Sequence, residues 1–250
     1  MTEHSGWNRR EGTFAALSTC FCVVLVLTNI VGVKLFHLFP EGRPGWIPGE
    51  GPLTLTSGII TYPLTFVLTD LVAEIWGRKR ANFMVLLGFA MSLMMLAIVQ
   101  LAGALPPSAF WSNPKLGMPA PEMQRAFQAI FSAPAVLLFA SMSAYLVAQL
   151  LDVRLYHFWW RITGGKHLWL RNNGSTVISQ LVDTTIVNSI FLHFAFGMQW
   201  GPIIEVILAV YLCKVALAIL DTPLIYLGRA LLSGFLGIPR DRAPSHAPLQ

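Results

Sequence analysis

The stretch that decides the fold is Asn82–Leu105, NFMVLLGFAMSLMMLAIVQLAGAL. It runs for 24 residues without an Asp, Glu, Lys or Arg. At about 1.5 Å of rise per residue, a helix of that length crosses the roughly 30 Å hydrocarbon layer of a bilayer. Five more apolar stretches flank it, at about 14–39, 57–76, 127–151, 175–196 and 202–232. The expected fold class is therefore all-α, a polytopic membrane protein with a bundle of six transmembrane helices filling 14–233.

Composition agrees. The 250 residues are 55% hydrophobic and 12% charged, with mean hydropathy +0.61. A soluble domain carries about a quarter charged residues, so this chain has too few to clothe a globule in water. The first apolar run is too long for the core of a signal peptide and reads as a retained span. Cys20, Cys22 and Cys213 all lie in apolar stretches, at no spacing that suits a metal or a redox pair, and read as packing residues.

Charge sets the orientation. With the N-terminus inside, the inner segments hold Arg9, Arg10, Arg78, Lys79, Arg80, Arg154, Arg161, Lys166, Arg171, Arg229, Arg240 and Arg242. The outer loops hold Arg43, Lys115 and Arg125, while Lys34 and Lys214 lie within spans. Twelve against three is a strong positive-inside bias. It places both termini, the 1–13 segment and the 234–250 tail, in the cytoplasm, and it explains the net charge of +5 without nucleic acid as a partner. The Pro-rich tail is expected to be disordered. The Pro-rich first outer loop, 37–55, is expected to be irregular. A short helix at Met123–Phe131 and another across the aromatic, basic stretch 154–170 are expected to lie at the membrane surfaces. Gly88, Ala90 and Ser92 make a small-residue patch that would admit a neighbouring helix without identifying it, and a homodimer is left open.

Ionisable groups inside a span are costly unless they pair or face a cavity. The first span carries Asn29 and Lys34. The second carries Asp70 and Glu74, four residues apart and so on one helix face. The fifth carries Gln180, Asp183 and Asn188, and the sixth Lys214 and Asp221. Two readings stand. Acid and base can lock helices together, Asp183 or Asp221 with Lys214, or the polar residues can line a central solute path. Their spread over four spans favours the path, leaving the third and fourth for packing and lipid contact. Glu205 and Asp152 lie at helix ends, where solvation suffices. No Walker glycine loop, HExxH or GxSxG is present, so neither ATP hydrolysis nor these hydrolase chemistries are expected, and no cofactor or metal is.

Two stretches add specificity. One is Tyr62-Pro63-Leu64-Thr65-Phe66 leading to Thr69-Asp70, Glu74 and Gly77-Arg78-Lys79. The other is Leu170-Arg171-Asn172-Asn173, Ser175-Thr176, Gln180 and Asp183-Thr184. With Thr28-Asn29 and Lys34, they make most of residues 15–230 resemble the bacterial queuosine precursor transporter family, of the vitamin-uptake-transporter type. The resemblance implies import of a 7-deazaguanine, such as the 7-cyano or 7-aminomethyl base, across the bacterial inner membrane. It implies no ATPase module, and coupling to an ion gradient. A guanine-like edge offers adjacent N–H donors beside a carbonyl. Glu74 or Asp183 would accept from the donors, Gln180 and Asn29 would complete the edge, and Tyr62, Phe66 or Trp76 would stack on the ring. Asp70 would pair near Arg78-Lys79 or couple, and Lys214 completes the candidate set. Ser175 would cap the fifth helix. The alternatives are a binding subunit of an energised uptake complex and, further off, an intramembrane enzyme.

Overall fold

The computed structural model describes residues 9–45, 52–164 and 168–237. Among these, six α-helices run in order: α1 (Arg9–Val31), α2 (Tyr62–Trp76), α3 (Arg78–Ala104), α4 (Ala120–Ile162), α5 (Leu168–Phe196) and α6 (Trp200–Leu236). Between α1 and α2 lies a two-stranded antiparallel sheet, β1 (Leu35–Leu38) with β2 (Leu53–Thr56), Leu35 opposite Thr56. The chain is an all-α polytopic membrane protein. Helices α1 and α3 to α6 each contain a stretch long and apolar enough to cross a bilayer, while α2 is a shorter apolar helix.

The chain divides into two compact units. One comprises residues 1–28, 60–95 and 216–250, the other 29–59 and 96–215. The core of the first is Phe21 and Cys22 from α1, Leu68 and Val72 from α2, and Ala81 and Met84 from α3. On α3 the buried positions Ala81, Met84, Gly88 and Ser92 recur at three or four residues and make one face. Phe83, Leu86, Leu93, Met94, Ile98 and Leu101 stay exposed. A soluble helix would put charges there, so this apolar outer face is suited to lipid.

Glycine permits the closest approach. A Cβ on Gly88 would lie 2.7 Å from Phe21 Cε1 and 2.8 Å from Leu25 Cδ2. Ser92 Oγ donates back to Gly88 O at 3.0 Å and is fully buried. Of the small-residue patch, Gly88 thus meets α1 and Ala90 remains exposed. Gly228 on α6 meets Leu71 of α2 in the same way, at 2.9 Å. The helix ends of this unit are tied by Arg80, which bonds Glu11 at 2.7 Å and lies 5.0 Å over the Phe14 ring. Gly77, at φ 87°, turns α2 into α3, a backbone conformation that costs a glycine little.

In the second unit α4 and α5 pack along one another. The hairpin is joined to the end of α1 by Ser57, whose N–H donates to Lys34 O at 2.8 Å and whose hydroxyl donates to Val31 O. Arg43, between the strands, pairs with Glu205 of α6 at 3.5 Å.

Several boundaries differ from the hydropathy reading. The first helix ends at Val31, and Leu35–Leu38 is a strand that leaves Lys34 outside the helix and exposed. Gly32 weakens the helix there, and the following Val, Leu and Phe side chains suit a strand as well as a span. The expected irregular loop therefore holds a hairpin, with 46–51 outside the described residues. The second apolar stretch opens as a 3-10 turn, Ser57–Ile60, before α2. The stretches 123–131 and 154–162 are parts of one continuous α4 and form no separate surface helices. Helix α5 starts at Leu168, which puts Ser175 in its interior, so Ser175 is not its cap. Residues 234–236, expected in the tail, are the last turn of α6, and 238–250 lie outside the described residues.

Candidate functional site

Asp183 lies near the centre of α5, about 20 Å from either end by helical rise. Lys214 lies about 21 Å from the start of α6. Lys214 Nζ donates to Asp183 Oδ2 at 3.1 Å, with the two side chains 14% and 23% exposed. Each charge alone would be costly in an apolar surround, and pairing makes both tolerable. Another α5–α6 tie is the Tyr211 hydroxyl, which donates to Val177 O at 3.3 Å.

Around Asp183 the buried face of α5 is polar. Ser179, Thr184 and Asn188 are all buried, Thr184 completely, and Gln180 is half-buried. Gln180, Thr184 and Asn188 recur every four residues, so they form one row beside Asp183. The Asn188 amide donates to Thr184 O at 2.8 Å. Further along, Phe191 and Leu192 continue the buried face as apolar packing. Helix α5 therefore buries a polar central stretch, with residues of the kind that pack and hydrogen-bond between membrane helices.

The other expected residues are placed as follows. Asn29 is buried near the end of α1, in the same unit as the Asp183–Lys214 pair. Tyr62, Phe66, Asp70 and Glu74 all belong to α2 in the other unit. The Tyr62 and Phe66 rings lie 4.2 Å apart and Asp70 is exposed, while the Glu74 side chain is outside the described residues. Thr65 and Thr69 spend their hydroxyls on carbonyls of their own helix. Trp76 packs on Phe14 at 5.8 Å, in the cluster around Arg80. Asp183 meets Lys214, and the Asp221 side chain lies outside the described residues.

Sequence reasoning passed over three features. Thr184 was noticed only as part of a motif, although it is the most buried residue of the polar row. The Arg43–Glu205 pair joins residues 162 apart, and nothing in the chain signals it. Ser179 carries no charge to mark it. A cleft of about 330 Å³ at the end of α3, lined by Gln100, Phe127, Gln128 and Phe131 among others, contains none of these polar residues. Among the described residues no group of His, Cys, Asp and Glu could hold a metal ion.

Apolar helices long enough to cross a bilayer, with a paired acid and base at mid-helix, are those of a multi-pass membrane protein. Known proteins narrow this to a family. The model of the family described as "Putative vitamin uptake transporter" matches residues 56–228, and the chain belongs to that family. It is also 30% identical over 209 residues to the "Probable queuosine precursor transporter" of Bacillus subtilis (strain 168), covering 83% of this chain and 80% of that one. No solved structure matches it.

Proposed function

We propose that this chain imports a 7-deazaguanine precursor of queuosine, such as the 7-cyano or 7-aminomethyl base, across the bacterial inner membrane as a secondary carrier. The observation that carries the reading is the Asp183–Lys214 pair held at mid-helix beside Gln180. The name of the B. subtilis relative supplies the substrate class. An ionised carboxylate has two oxygens and about four acceptor positions. The bond from Lys214 to Oδ2 therefore leaves room for the adjacent N–H donors of a guanine-like edge. Gln180, three residues before Asp183, brings an amide donor for the ring carbonyl. Lys214 keeps the site near neutral, which suits the uncharged 7-cyano base. On α2, Glu74 and the Tyr62–Phe66 ring pair are candidates in their own right, and Asp70 is a candidate for coupling.

The test is uptake of labelled deazaguanine base by cells unable to make it, with tRNA queuosine as the readout. External base is expected to restore tRNA queuosine only when this protein is present, and no restoration overturns the assignment. Asp183→Asn is expected to abolish uptake with membrane insertion intact, and Glu74→Gln tests α2 separately. Uptake by liposomes holding this chain alone distinguishes a carrier from a binding subunit of an energised complex.

A further inference from the structure

Four threonines in this protein show what a helical threonine ordinarily does with its hydroxyl. Thr13 donates to Arg9 O at 2.8 Å, Thr28 to Val24 O at 2.7 Å, Thr69 to Thr65 O at 3.0 Å and Thr185 to Leu181 O at 2.8 Å. Each bond goes back one turn to the carbonyl four residues earlier, the usual local solution for a hydroxyl on a helix. Thr184 departs from this pattern. Its Oγ1 is buried and has no hydrogen-bond partner among the described residues, and the residue is 0% exposed. Thr185, one position on, is exposed and bonds to its own helix. The rotamer that would satisfy the Thr184 hydroxyl on its own helix is therefore not the one adopted.

A buried hydroxyl without a partner costs about 1–3 kcal/mol. Valine has nearly the same shape and would avoid the cost, so the hydroxyl needs another account. Its neighbours supply one. Gln180 lies one turn before it and Asn188 one turn after it, and Asp183 is adjacent. The backbone carbonyl of Thr184 is occupied by the Asn188 amide, which holds this turn of α5 in place. The hydroxyl thus lies on the buried polar row, one position along α5 from Asp183, which is itself paired with Lys214.

We propose that Thr184 is a specificity-determining residue of the transport site, its hydroxyl hydrogen-bonding the polar edge of a planar heterocycle whose N–H donors are read by Asp183. This rests on the substrate reading above and adds a contact to it. A hydroxyl both donates and accepts, so it pairs with a ring nitrogen or a carbonyl, groups that a purely apolar ring lacks. A site with a buried polar group rejects the analogue that leaves that group unpaired more strongly than it rejects a small change in size. Thr184 would therefore set discrimination among bases more than it sets affinity for any flat ring.

The experiment uses the full chain purified in detergent, with labelled 7-cyano-7-deazaguanine as the probe and three variants, Thr184→Val, Thr184→Ser and Asp183→Asn. Thr184→Val is expected to weaken binding about tenfold, to narrow discrimination against an analogue lacking the ring carbonyl, and to melt no lower than wild type. Thr184→Ser is expected to bind within about twofold of wild type. A Thr184→Val protein with unchanged affinity and discrimination, alongside an Asp183→Asn protein that no longer binds, overturns the role of Thr184 and leaves the site standing. A lowered melting temperature in Thr184→Val also overturns it, because the hydroxyl then has a structural partner. Binding unaffected in both Thr184→Val and Asp183→Asn, or no binding by wild type, overturns the site itself.

Discussion

At the scale of single residues, charge is what the chain makes easy to find. Asp183 and Lys214 stand out because an ionised group inside an apolar stretch needs an explanation, and the structure gives each the other. That Asp183 would meet Lys214 was not legible, since Asp221 lies seven residues on and shares its face. Only the approach of α5 to α6 decides it. Removing one partner leaves the other charge uncompensated, so Lys214→Met is expected to destabilise the protein by about 3 kcal/mol. The double variant Asp183→Asn, Lys214→Met should regain most of that loss, while transport stays absent. Melting curves in detergent, with uptake measured beside them, check both parts. A Lys214→Met protein as stable as wild type would mean that the pair contributes little. Thr184 shows the opposite limit of legibility. Threonine is common in helices, and nothing in its letter tells that its hydroxyl is buried without a bond to its own turn.

At the scale of elements, the existence of the helices was plain and their ends were not. Hydropathy reads Val33, Leu35 and Phe36 as more span, whereas backbone pairing with Leu53–Thr56 makes part of that run a strand. The same measure broke α4 into pieces, because an aromatic and basic stretch resembles a surface helix whether or not it continues a longer one. Side-chain size was the missing information at the α1–α3 contact. Gly88, Ala90 and Ser92 looked alike as small residues, yet Gly88 is the one pressed against Phe21 and Leu25. Gly88→Ala is therefore expected to cost about 1–3 kcal/mol, the usual range for forcing extra volume into a packed contact. Gly234→Ala is the control, as a Cβ there meets nothing within 4 Å. Equal melting temperatures for the two variants would show that the α1 side chains give way freely.

At the scale of the whole molecule, the abundance of apolar helix was enough to name the class, and the family match adds the transporter. Orientation still comes from the distribution of Lys and Arg. Reporter fusions check it directly. Green fluorescent protein at either terminus is expected to fluoresce, and alkaline phosphatase at the same positions to be inactive; the reverse result would invert the molecule in its membrane. The small hairpin after α1 also bears on that membrane. A two-stranded sheet with an edge facing lipid would leave backbone N–H and C=O groups that hydrocarbon cannot satisfy, so β1 and β2 are expected on the watery side of the lipid boundary. That boundary then falls near Val31, where α1 gives way to the hairpin. About 20 helical residues span the hydrocarbon, and counting back along α1 brings the opposite boundary close to Glu11, the residue that Arg80 holds. The hairpin is in this sense a depth gauge. Nitroxide labels stepped along the exposed face of α1, at positions such as Val23 and Leu27, should report lipid-dissolved oxygen within the interval and lose it within a turn of either mark.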